Sequence, residues 1–374
     1  MRALARVNLA AIERNCRRLV RAAGGAQLCA VVKADGYGHG LVPASRAALA
    51  GGATWLAVAT ASEAADLRAA EVDARLLVVG ALSPSELRIA VGAGADVVAW
   101  REGFVAALAE LPGADGIGVH VKLDTGMGRL GTRDRAEADR VAARVAAEKR
   151  LRLAGAMTHF ATADDDADFL RTQIEAFTPW AGALRAAHPE VVVHAANSAA
   201  TLDCPAARFD MVRCGIAVYG LDPFHRDPAD WGLEPALSLH SYLAEVKRCL
   251  PGQSAGYGRR YVAREPVWLG TAPIGYGDGV RRGLSDNADV LVGGRRRPVV
   301  GTVSMDNLQV ELGPHDDARL LRGAPLVLIG TDGPQRILAE EVAARLQTIN
   351  YEVTCGISAR VPREYHRDGE PVGV

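Results

Sequence analysis

The chain has 374 residues, of which 49% are hydrophobic and 23% are charged, and its formal net charge is −1. This length allows two domains, and the composition excludes a disordered chain, a collagen-like repeat and a disulfide-rich miniprotein. A net charge near zero gives no electrostatic basis for binding nucleic acid or an anionic membrane. The sequence has neither a membrane-spanning apolar stretch nor an uninterrupted apolar N-terminal segment typical of a signal peptide.

The cysteines and lysines are both informative. The six cysteines form no CxxC pair and no metal-ligand spacing, which predicts reduced thiols, no metal site and a cytoplasmic location.

Arginine dominates the 43 basic residues, and the few lysines are Lys33, Lys122, Lys149 and Lys247. A lysine kept in such a chain is a candidate for chemistry that needs a neutral amine, which guanidinium cannot supply.

Eight short apolar runs occur in the first two thirds of the chain. They are LCAVV before Lys33, WLAVA (55–59), LLVVG (76–80), DVVAW (96–100), GVHVKL (118–123), LAGAMTHF (153–160), VVVHAAN (191–197) and MVRCGIAVYG (211–220). Each has the length and composition of a strand buried on both faces. Helical patterns lie between them, such as ASEAADLRAA with Ser62 as the expected N-cap. This α/β alternation predicts an N-terminal (β/α)8 TIM-like barrel over residues 1–233, and the absence of GxGxxG disfavours a doubly wound open sheet.

The pattern changes beyond about residue 230. Segments such as PVWLGTAPIGYGDG, ADVLVGG, RPVVGTVSMDNLQVEL and APLVLIG are β-branched and bounded by Gly/Pro turns, whereas only 338–349 has a helical pattern. We therefore expect a mostly-β C-terminal domain over residues 234–374.

In a barrel, the residues at the C-terminal ends of the strands face the active site. Lys33 directly follows the first run, and burial lowers a lysine pKa and makes the amine available for a Schiff base. The alternative is a lysine whose ammonium extends to solvent. Tyr37 and His39 follow in a glycine-rich turn whose N–H groups can hold an anion.

The fifth run ends in HVKLDTGMGRLG, which places Lys122 inside an apolar strand and Arg129 beyond a glycine-rich turn. Two cations at one barrel mouth require an anion between them. The candidates are Asp124, a bound carboxylate, or a carbamate on Lys122, and an ordinary Lys122–Asp124 ion pair is an equally good interpretation.

Three later runs also end in polar residues. His159 lies at the end of the sixth run, where a hydrogen-bonded core histidine is the alternative to a functional one. Asn197 and Ser198 stand where a helix begins, a position that suits phosphate or a simple N-cap. Arg213 lies among apolar neighbours and needs an acceptor, either a structural carboxylate or a ligand atom. In the β domain, Tyr257 and Tyr276 lie in glycine-flanked turns, which is typical of a ligand approach or of ordinary hairpins.

The chain carries, in order, the motifs VVKADGYGHG, KLDTGMGRLG, THFATAD, HAANSAAT, MVRCGIAVYG, GYGRRY, PIGYGDG, SMD and NYEVTCGISARVPR. Together they resemble the motifs of bacterial alanine racemase, from the first residues to about Arg363. The resemblance implies a fold-type III pyridoxal 5'-phosphate (PLP) enzyme with a barrel, a C-terminal β domain and a head-to-tail homodimer with shared active sites. It also implies interconversion of L- and D-alanine, which supplies D-alanine for peptidoglycan.

The resemblance gives individual residues a role. Lys33 corresponds to the lysine that binds PLP and acts on the Cα proton of the D enantiomer. Tyr257 corresponds to the opposing base for the L enantiomer, contributed by the partner subunit, and a tyrosine base requires a lowered pKa. Arg213 corresponds to the residue at the pyridine nitrogen, where it leaves the ring neutral, and His159 to its relay partner.

Further positions follow in the same way. Those implied at the cofactor are Tyr37, Asn197, Ser198, Gly215 and Ile216. Those implied at the substrate are Arg129, Met305, Tyr276 and Asp306. Lys122 corresponds to a lysine often carbamylated in the family, where the anion orients Arg129.

One position departs from the family pattern. Many members read ISYRVPR where this chain reads ISARVPR, so Ala359 replaces an aromatic residue. The change predicts weaker cofactor binding, by about 1 kcal/mol, and a wider pocket. A broad-specificity or serine racemase is therefore the alternative function. A fold-type III decarboxylase and a PLP-carrying regulatory barrel fit less well, because the first has a different lysine context and the second lacks a domain with Tyr257.

Overall fold

The computed structural model describes residues 1–373, which form two units. The barrel unit comprises Ile12–Phe224 and Ala229–Glu234. The β unit comprises Met1–Ala11, His225–Pro228 and the chain from Pro235 onward. The sequence predicted a division after residue 233, and the structure differs at the N-terminus. The first strand, β1 (Leu4–Asn8), belongs to the β unit because its hydrogen-bonded neighbours are strands of that unit.

Within residues 1–373, eight parallel strands close into the predicted barrel. They are β2 (Gln27–Val31), β3 (Trp55–Val58), β4 (Arg75–Val78), β5 (Asp96–Ala99), β6 (Ile117–Lys122), β7 (Leu151–Met157), β8 (Val192–His194) and β9 (Met211–Cys214). Every residue of β3, β5, β6 and β9 is buried. Burial on both faces explains why these strands appear in the sequence as continuous apolar runs rather than as alternating patterns.

Helices precede or alternate with these strands. They are α1 (Leu9–Ala23), α2 (Lys33–Tyr37), α3 (Leu41–Ala50), α4 (Ala61–Ala69), α5 (Pro84–Gly92), α6 (Glu102–Ala109), α7 (Arg135–Ala147), α8 (Ala167–Ala187) and α9 (Ser198–Asp203). The expected N-cap at Ser62 is wrong. Thr60 caps α4 instead, in a capping box in which the Thr60 hydroxyl accepts from the Glu63 N–H and the Glu63 carboxylate accepts from the Thr60 N–H.

The β unit is mostly β-sheet, as expected. Its further strands are β10 (Leu237–Tyr242), β11 (Glu245–Cys249), β12 (Ser254–Ala255), β13 (Tyr261–Val262), β14 (Val267–Ala272), β15 (Asp289–Val292), β16 (Arg295–Val300), β17 (Leu308–Gly313), β18 (Pro325–Asp332), β19 (Gln335–Ile337), β20 (Arg363–Arg367) and β21 (Glu370–Pro371). Among the described residues an 11-stranded sheet has the order β11-β14-β17-β16-β15-β18-β10-β1-β20-β21, with β19 paired to β18. β12 and β13 form a separate hairpin.

The predicted helix over 338–349 corresponds to α10 (Ala339–Leu346), and a second helix that the sequence did not predict, α11 (Asn350–Cys355), follows it. The break between the two helices occurs because Gln347 adopts a left-handed conformation with φ 55°, which ends α10. In the part of the chain that the structure describes, no helix combines the length and the apolar character that crossing a membrane requires.

Candidate active site

Lys33 begins the turn that follows β2, at the C-terminal end of the barrel strands. The next four residues, Ala34, Asp35, Gly36 and Tyr37, have φ values of 53°, 53°, 60° and 54°. A left-handed backbone costs about 1–2 kcal/mol for each residue that carries a Cβ. Such a run persists only where surrounding contacts hold it.

Two carboxylates hold this left-handed turn. Glu63 Oε1 accepts from the Ala34 N–H at 2.6 Å, while its Oε2 accepts from the Thr60 N–H at 3.1 Å. Asp35 Oδ1 accepts from the Leu41 N–H at 2.8 Å, at the start of α3. The backbone next to Lys33 is therefore bound on both sides to helices of the barrel. Sequence reasoning missed Glu63, although an S/T-x-x-E pattern directly after a strand was visible.

Four predicted cofactor residues come together beside this turn. Tyr37 stacks on Tyr219 with ring centroids 5.0 Å apart, and its hydroxyl lies against Gly215, where a Cβ would be only 2.3 Å away. Ser198 Oγ accepts from the Gly215 N–H at 3.0 Å, and Ile216 is the next residue of the chain. Tyrosine and serine hydroxyls thus meet the N-terminal end of the short 3-10 helix Ile216–Tyr219.

The structure distinguishes between the two interpretations of Ser198, a phosphate-binding residue or a simple N-cap. The N-cap of α9 is Asn197, whose Oδ1 accepts from the Ala200 N–H at 3.0 Å. Ser198 is buried and instead accepts from the loop after β9. The N-cap interpretation of Ser198 is therefore wrong, and its own hydroxyl hydrogen is donated to no acceptor among residues 1–373.

Arg213 is 5% exposed and makes hydrogen bonds to neutral acceptors. Its Nη1 lies 2.8 Å from His194 Nδ1, and its Nη2 lies 3.1 Å from His159 Nδ1. Nη2 also donates to the carbonyl oxygens of Thr158 and Ala195 at 2.8 and 3.0 Å. No described carboxylate pairs with Arg213, so of the two acceptors that the sequence left open, the structural carboxylate is wrong. Burial lowers the pKa of this guanidinium to about 10, which leaves it protonated at neutral pH.

Lys122 does not pair with Asp124. Asp124 accepts from the backbone N–H groups of Gly126 and Gly128 at 3.1 and 3.0 Å and pairs with Arg133 at 3.2 Å. It therefore shapes the glycine-rich loop that follows β6. Lys122 is 4% exposed, and no described carboxylate lies within 4.0 Å of its amine. The simple Lys122–Asp124 ion pair is wrong.

Positive charge accumulates at this end of the barrel. Burial, with smaller contributions from the nearby Arg213 and Arg129, lowers the pKa of Lys122 to about 8, whereas Asp124 opposes the shift. His159 follows β7, and burial holds its pKa well below its usual value. The cations that add to this effect on His159, largest first, are Arg213, Lys122, Arg129 and Lys33. A mouth with this excess of cations suits an anionic ligand.

The predicted residues of the β unit lie in two turns. Tyr257 is 75% exposed, and its carbonyl oxygen accepts from the Thr302 hydroxyl at 2.9 Å. Met305 and Asp306 stand at the tip of the turn between β16 and β17, and the Met305 carbonyl oxygen accepts from the Gly277 N–H at 2.9 Å. Tyr276 precedes Gly277 in the neighbouring 3-10 turn and is 43% exposed.

An ion-pair network joins these two turns. Asp278 has no exposed side-chain surface and pairs with Arg2 at 2.6 Å and with Arg360 at 3.0 Å. Arg360 also reaches Asp306 at 2.6 Å, while Ala359 beside it is exposed. Asp306 therefore contacts Arg360 within the β unit, a role that sequence reasoning did not foresee.

Comparison with known proteins assigns a family to both units. Residues 7–223 match the model of the alanine racemase N-terminal domain, and residues 236–365 match that of the alanine racemase C-terminal domain. The alanine racemase of Thermobifida fusca is 43% identical over 370 residues, which cover 96% of this chain and 97% of that protein. That of Halalkalibacterium halodurans is 39% identical, with 98% and 96% covered.

Solved structures agree with the sequence matches. The alanine racemase of Streptomyces coelicolor A3(2) superimposes with a TM-score of 0.91 at 39% identity, covering 97% of this chain and 98% of that one. That of Bacillus anthracis, solved with bound L-Ala-P, also has a TM-score of 0.91, at 37% identity with 100% and 97% covered.

The chain belongs to the alanine racemase family. Family membership makes it an isomerase with the barrel and the mostly-β domain that the sequence predicted. In this chain, the barrel unit contains the lysine turn, the hydroxyl groups beside Gly215, and the Arg213 cluster. Tyr257, Tyr276, Met305 and Asp306 belong to the β unit.

Proposed function

We propose that the protein interconverts L- and D-alanine with PLP as its cofactor, by a two-base mechanism. The observation that carries the proposal is the continuous segment from Arg213 to Ile216. It offers a buried cationic donor at one end and, with Tyr37 and Ser198, hydroxyl and N–H donors at the other. This combination of donors suits a ligand that has an acceptor nitrogen and a phosphate.

Each residue of the barrel unit has a distinct part in holding PLP. Lys33 supplies the amine for covalent attachment, and the left-handed turn fixes the backbone position from which the Lys33 side chain extends. Tyr37, Ser198, Gly215 and Ile216 hold the phosphate, for which hydroxyl and backbone N–H groups are suitable donors. When bound, PLP withdraws electron density from Cα and so stabilises the negative charge left by proton removal.

Arg213 limits the chemistry to proton exchange. A guanidinium with a pKa of about 10 stays a donor at neutral pH, so it keeps an acceptor nitrogen unprotonated. An Arg213 that donates to the ring nitrogen would leave the ring less electron-withdrawing than a protonated ring, which would favour return of the proton to Cα over side reactions.

Two bases handle the Cα proton on opposite faces of the substrate. Lys33 Nζ exchanges the proton of D-alanine, and the hydroxyl of Tyr257 of the partner subunit exchanges that of L-alanine. One base alone would return the proton to the face from which it came. The proposal therefore includes a homodimer with shared active sites, and D-alanine for peptidoglycan as the product used by the cell.

Lys122 supplies an anion at the substrate end. Its lowered pKa of about 8 leaves part of the amine neutral near pH 7.5, and no described carboxylate competes for it. Nζ adds to the carbon of CO2, forms an N–C bond and releases one proton to solvent, which gives a carbamate. The new negative charge orients Arg129 toward the substrate carboxylate. Carbon-13 NMR with labelled bicarbonate tests this step, and a signal that persists in Lys122→Met rejects it.

A racemisation assay with PLP tests the central proposal. We expect L- and D-alanine to interconvert, and Lys33→Ala to abolish both the activity and the visible absorbance of the bound cofactor. The matched control is Lys149→Ala, which changes an exposed lysine and should retain both. An unchanged spectrum in Lys33→Ala refutes the assignment.

Tyr257→Phe tests the second base. It should slow release of the Cα deuterium of labelled L-alanine far more than it weakens PLP binding. Tyr261→Phe is the control, because the Tyr261 hydroxyl already donates to Glu311 at 2.7 Å. Mixing Lys33→Ala and Tyr257→Phe subunits should restore some activity through one intact hybrid site, and demonstrated heterodimers without activity contradict shared sites.

A broad-specificity or serine racemase is the second candidate, and the sequence change at Ala359 favours it. Serine and alanine should then be racemised at comparable rates, and Ala359→Tyr should slow serine selectively. Strict selectivity for alanine rejects this candidate.

A further inference from the structure

A row of four buried polar side chains crosses the interior of the barrel. Asp96, the first residue of β5, has its Oδ2 3.4 Å from His120 Nε2. His120 Nδ1 lies 2.8 Å from His194 Nε2, and His194 Nδ1 lies 2.8 Å from Arg213 Nη1. Both imidazoles have no exposed surface, so water does not complete their hydrogen bonds. The row links the N-terminal end of the strands with the arginine of the proposed PLP site.

The groups at the two ends of the row, an arginine and a carboxylate, determine in which direction the hydrogen bonds along the row are donated. An arginine only donates, so His194 Nδ1 must be bare and the hydrogen of neutral His194 lies on Nε2. That hydrogen requires a bare Nδ1 on His120, which places the hydrogen of neutral His120 on Nε2. The Nε2–H then faces Asp96, and an ionised carboxylate only accepts. Both ends therefore impose the same tautomers.

Asp96 is held in the ionised state that this direction needs. Its Oδ1 accepts from the Gly118 N–H at 3.0 Å, and Arg152 Nη2 lies 3.1 Å from its Oδ2. Burial raises the pKa of Asp96, but the contacts from His120, Arg152 and Gly118 outweigh burial and the net pKa lies below its usual value. Burial also lowers the pKa of both imidazoles, which keeps them neutral.

Two strands are shaped around the row. A Cβ on Gly118 would lie 2.4 Å from the Asp96 carboxyl group, and a Cβ on Gly155 would lie 2.1 Å from His120 Nδ1. Real Cβ atoms do not approach so closely, so β6 and β7 need glycine at these positions to admit the carboxylate and the ring. The barrel interior thus makes room for polar groups where apolar side chains are the usual filling.

We propose that Asp96, through His120 and His194, is a positioning residue for Arg213, because it imposes the tautomers that present a bare nitrogen to the guanidinium. With His194, His159 and two carbonyl oxygens as acceptors, Nη1 and Nη2 are oriented, and Nε has no acceptor within residues 1–373. The guanidinium is thereby presented to the cofactor in one orientation. This inference rests on the PLP site proposed above.

Nitrogen-15 NMR of the purified protein with labelled histidine reads the tautomers directly, before and after PLP is added. His120→Gln and His194→Gln variants assign the signals among the 9 histidines. We expect both residues to be neutral with the hydrogen on Nε2. A hydrogen on Nδ1 of His194 in the unaltered protein overturns the inference, and this reading does not depend on whether any variant folds.

Asp96→Asn tests the influence of the carboxylate on Arg213. The amide oxygen takes the place of Oδ1, which accepts from the Gly118 N–H at 3.0 Å and from Arg152 Nη2 at 3.2 Å, so the amide NH2 faces His120 Nε2 and forces the hydrogen of His120 to Nδ1. His194 must follow, and a donor then faces Arg213. We expect an Nδ1–H signal at His194 and a PLP dissociation constant raised about tenfold, as for one buried hydrogen bond left unmade. The control is Asp115→Asn, an exposed carboxylate paired with Arg150, which should change neither reading.

The outcomes separate this inference from the proposed function. Absence of PLP binding by the unaltered protein refutes the cofactor site while the tautomers are still read. A folded Asp96→Asn variant with wild-type tautomers and wild-type PLP affinity overturns the positioning role. A loss of stability alone, with neither reading changed, indicates a merely structural carboxylate and also overturns it.

Discussion

Replacing Gly215 with alanine is a sensitive test of the cofactor cradle, because the closest atom to the new methyl group belongs to Tyr37. The added Cβ would lie 2.3 Å from the Tyr37 hydroxyl oxygen and 2.8 Å from its Cζ. Unstrained non-bonded atoms are about 3.5 Å apart or more, so the ring must withdraw by about 1 Å. Tyr37 is only 7% exposed and stacks on Tyr219, which leaves it little room.

Two effects of Gly215→Ala follow from this displacement. Overpacking at a buried site costs about 1–3 kcal/mol of unfolding free energy. The Tyr37 hydroxyl also leaves the place where we propose that it binds the phosphate, and one lost hydrogen bond to a charged group is worth about 1.5–3 kcal/mol. The PLP dissociation constant should therefore rise at least tenfold.

Urea unfolding of the cofactor-free protein and a PLP titration measure the two effects separately. The control is Gly182→Ala, in the exposed interior of α8, where nothing lies within 4 Å of the new methyl group. That change should stabilise the protein by about 0.5–1 kcal/mol. In the double variant with Tyr37→Phe the closest contact disappears, so part of the stability should return while the PLP affinity stays low.

The result that refutes the reasoning is a Gly215→Ala protein with unchanged stability and unchanged PLP affinity. Equal destabilisation in the single and the double variant would also contradict it, because the strain would then lie somewhere other than the Tyr37 hydroxyl.

The remaining predictions concern the lysine turn, the barrel mouth and the phosphate end. Glu63→Gln should lower the unfolding free energy by about 1–2 kcal/mol more than Glu86→Gln does. Both carboxylates complete capping boxes, but only that of Glu63 also holds the left-handed turn. Equal losses of unfolding free energy, measured by denaturant unfolding, contradict this. In the folded protein the pKa of Lys122 is lowered from 10.5 to about 8, so between these two pH values the unfolded chain binds more protons than the folded one. The free energy of unfolding in CO2-free buffer should therefore rise with pH across this window, by up to about 3 kcal/mol. Lys122→Met should remove that rise, and an unchanged pH profile of the denaturation midpoint speaks against the buried amine. Ser198→Ala leaves two backbone N–H groups without their acceptor and should raise the PLP dissociation constant about tenfold, whereas Ser62→Ala on an exposed helix surface should not.

Local sequence patterns predicted the barrel, which the structure confirms, and pointed to several of the residues that we propose for the cofactor site. Buried parallel strands appear as apolar runs, and polar residues at their ends stand out because burial of an unpaired polar group is costly. Lys33, Ser198 and Arg213 were singled out in this way, and in the structure they lie in or beside the segments that follow the barrel strands. The same reasoning left the partner of Arg213 and that of Lys122 open, since a sequence position does not say which side chains face each other.

The row from Asp96 to His194 was not visible in the sequence. Asp96 and His120 are 24 positions apart, and His120 and His194 are 74 positions apart, yet their side chains share the closed interior of one barrel. The local signal was weak, because a histidine inside a buried strand is most simply a core residue. Gly118 and Gly155 were equally uninformative until a specific atom was seen to occupy the space of the missing Cβ.

The placement of the first strand also shows the difference between what the sequence determines and what the tertiary structure determines. Periodicity and composition determine that a segment is a strand or a helix and which of its residues avoid water, because these depend on a few neighbouring residues and on burial. Whether β1 joins the barrel or the β unit depends on the strands with which it pairs. These are β10, which contains His240, along one edge and β20, which contains Arg363, along the other. The lysine in its turn, the apolar strands and the family motifs were thus properties of the sequence by itself. The tertiary structure decided which polar groups pair, since hydrogen bonds and ion pairs act over a few ångströms in space and chain closure alone brings distant residues within that range.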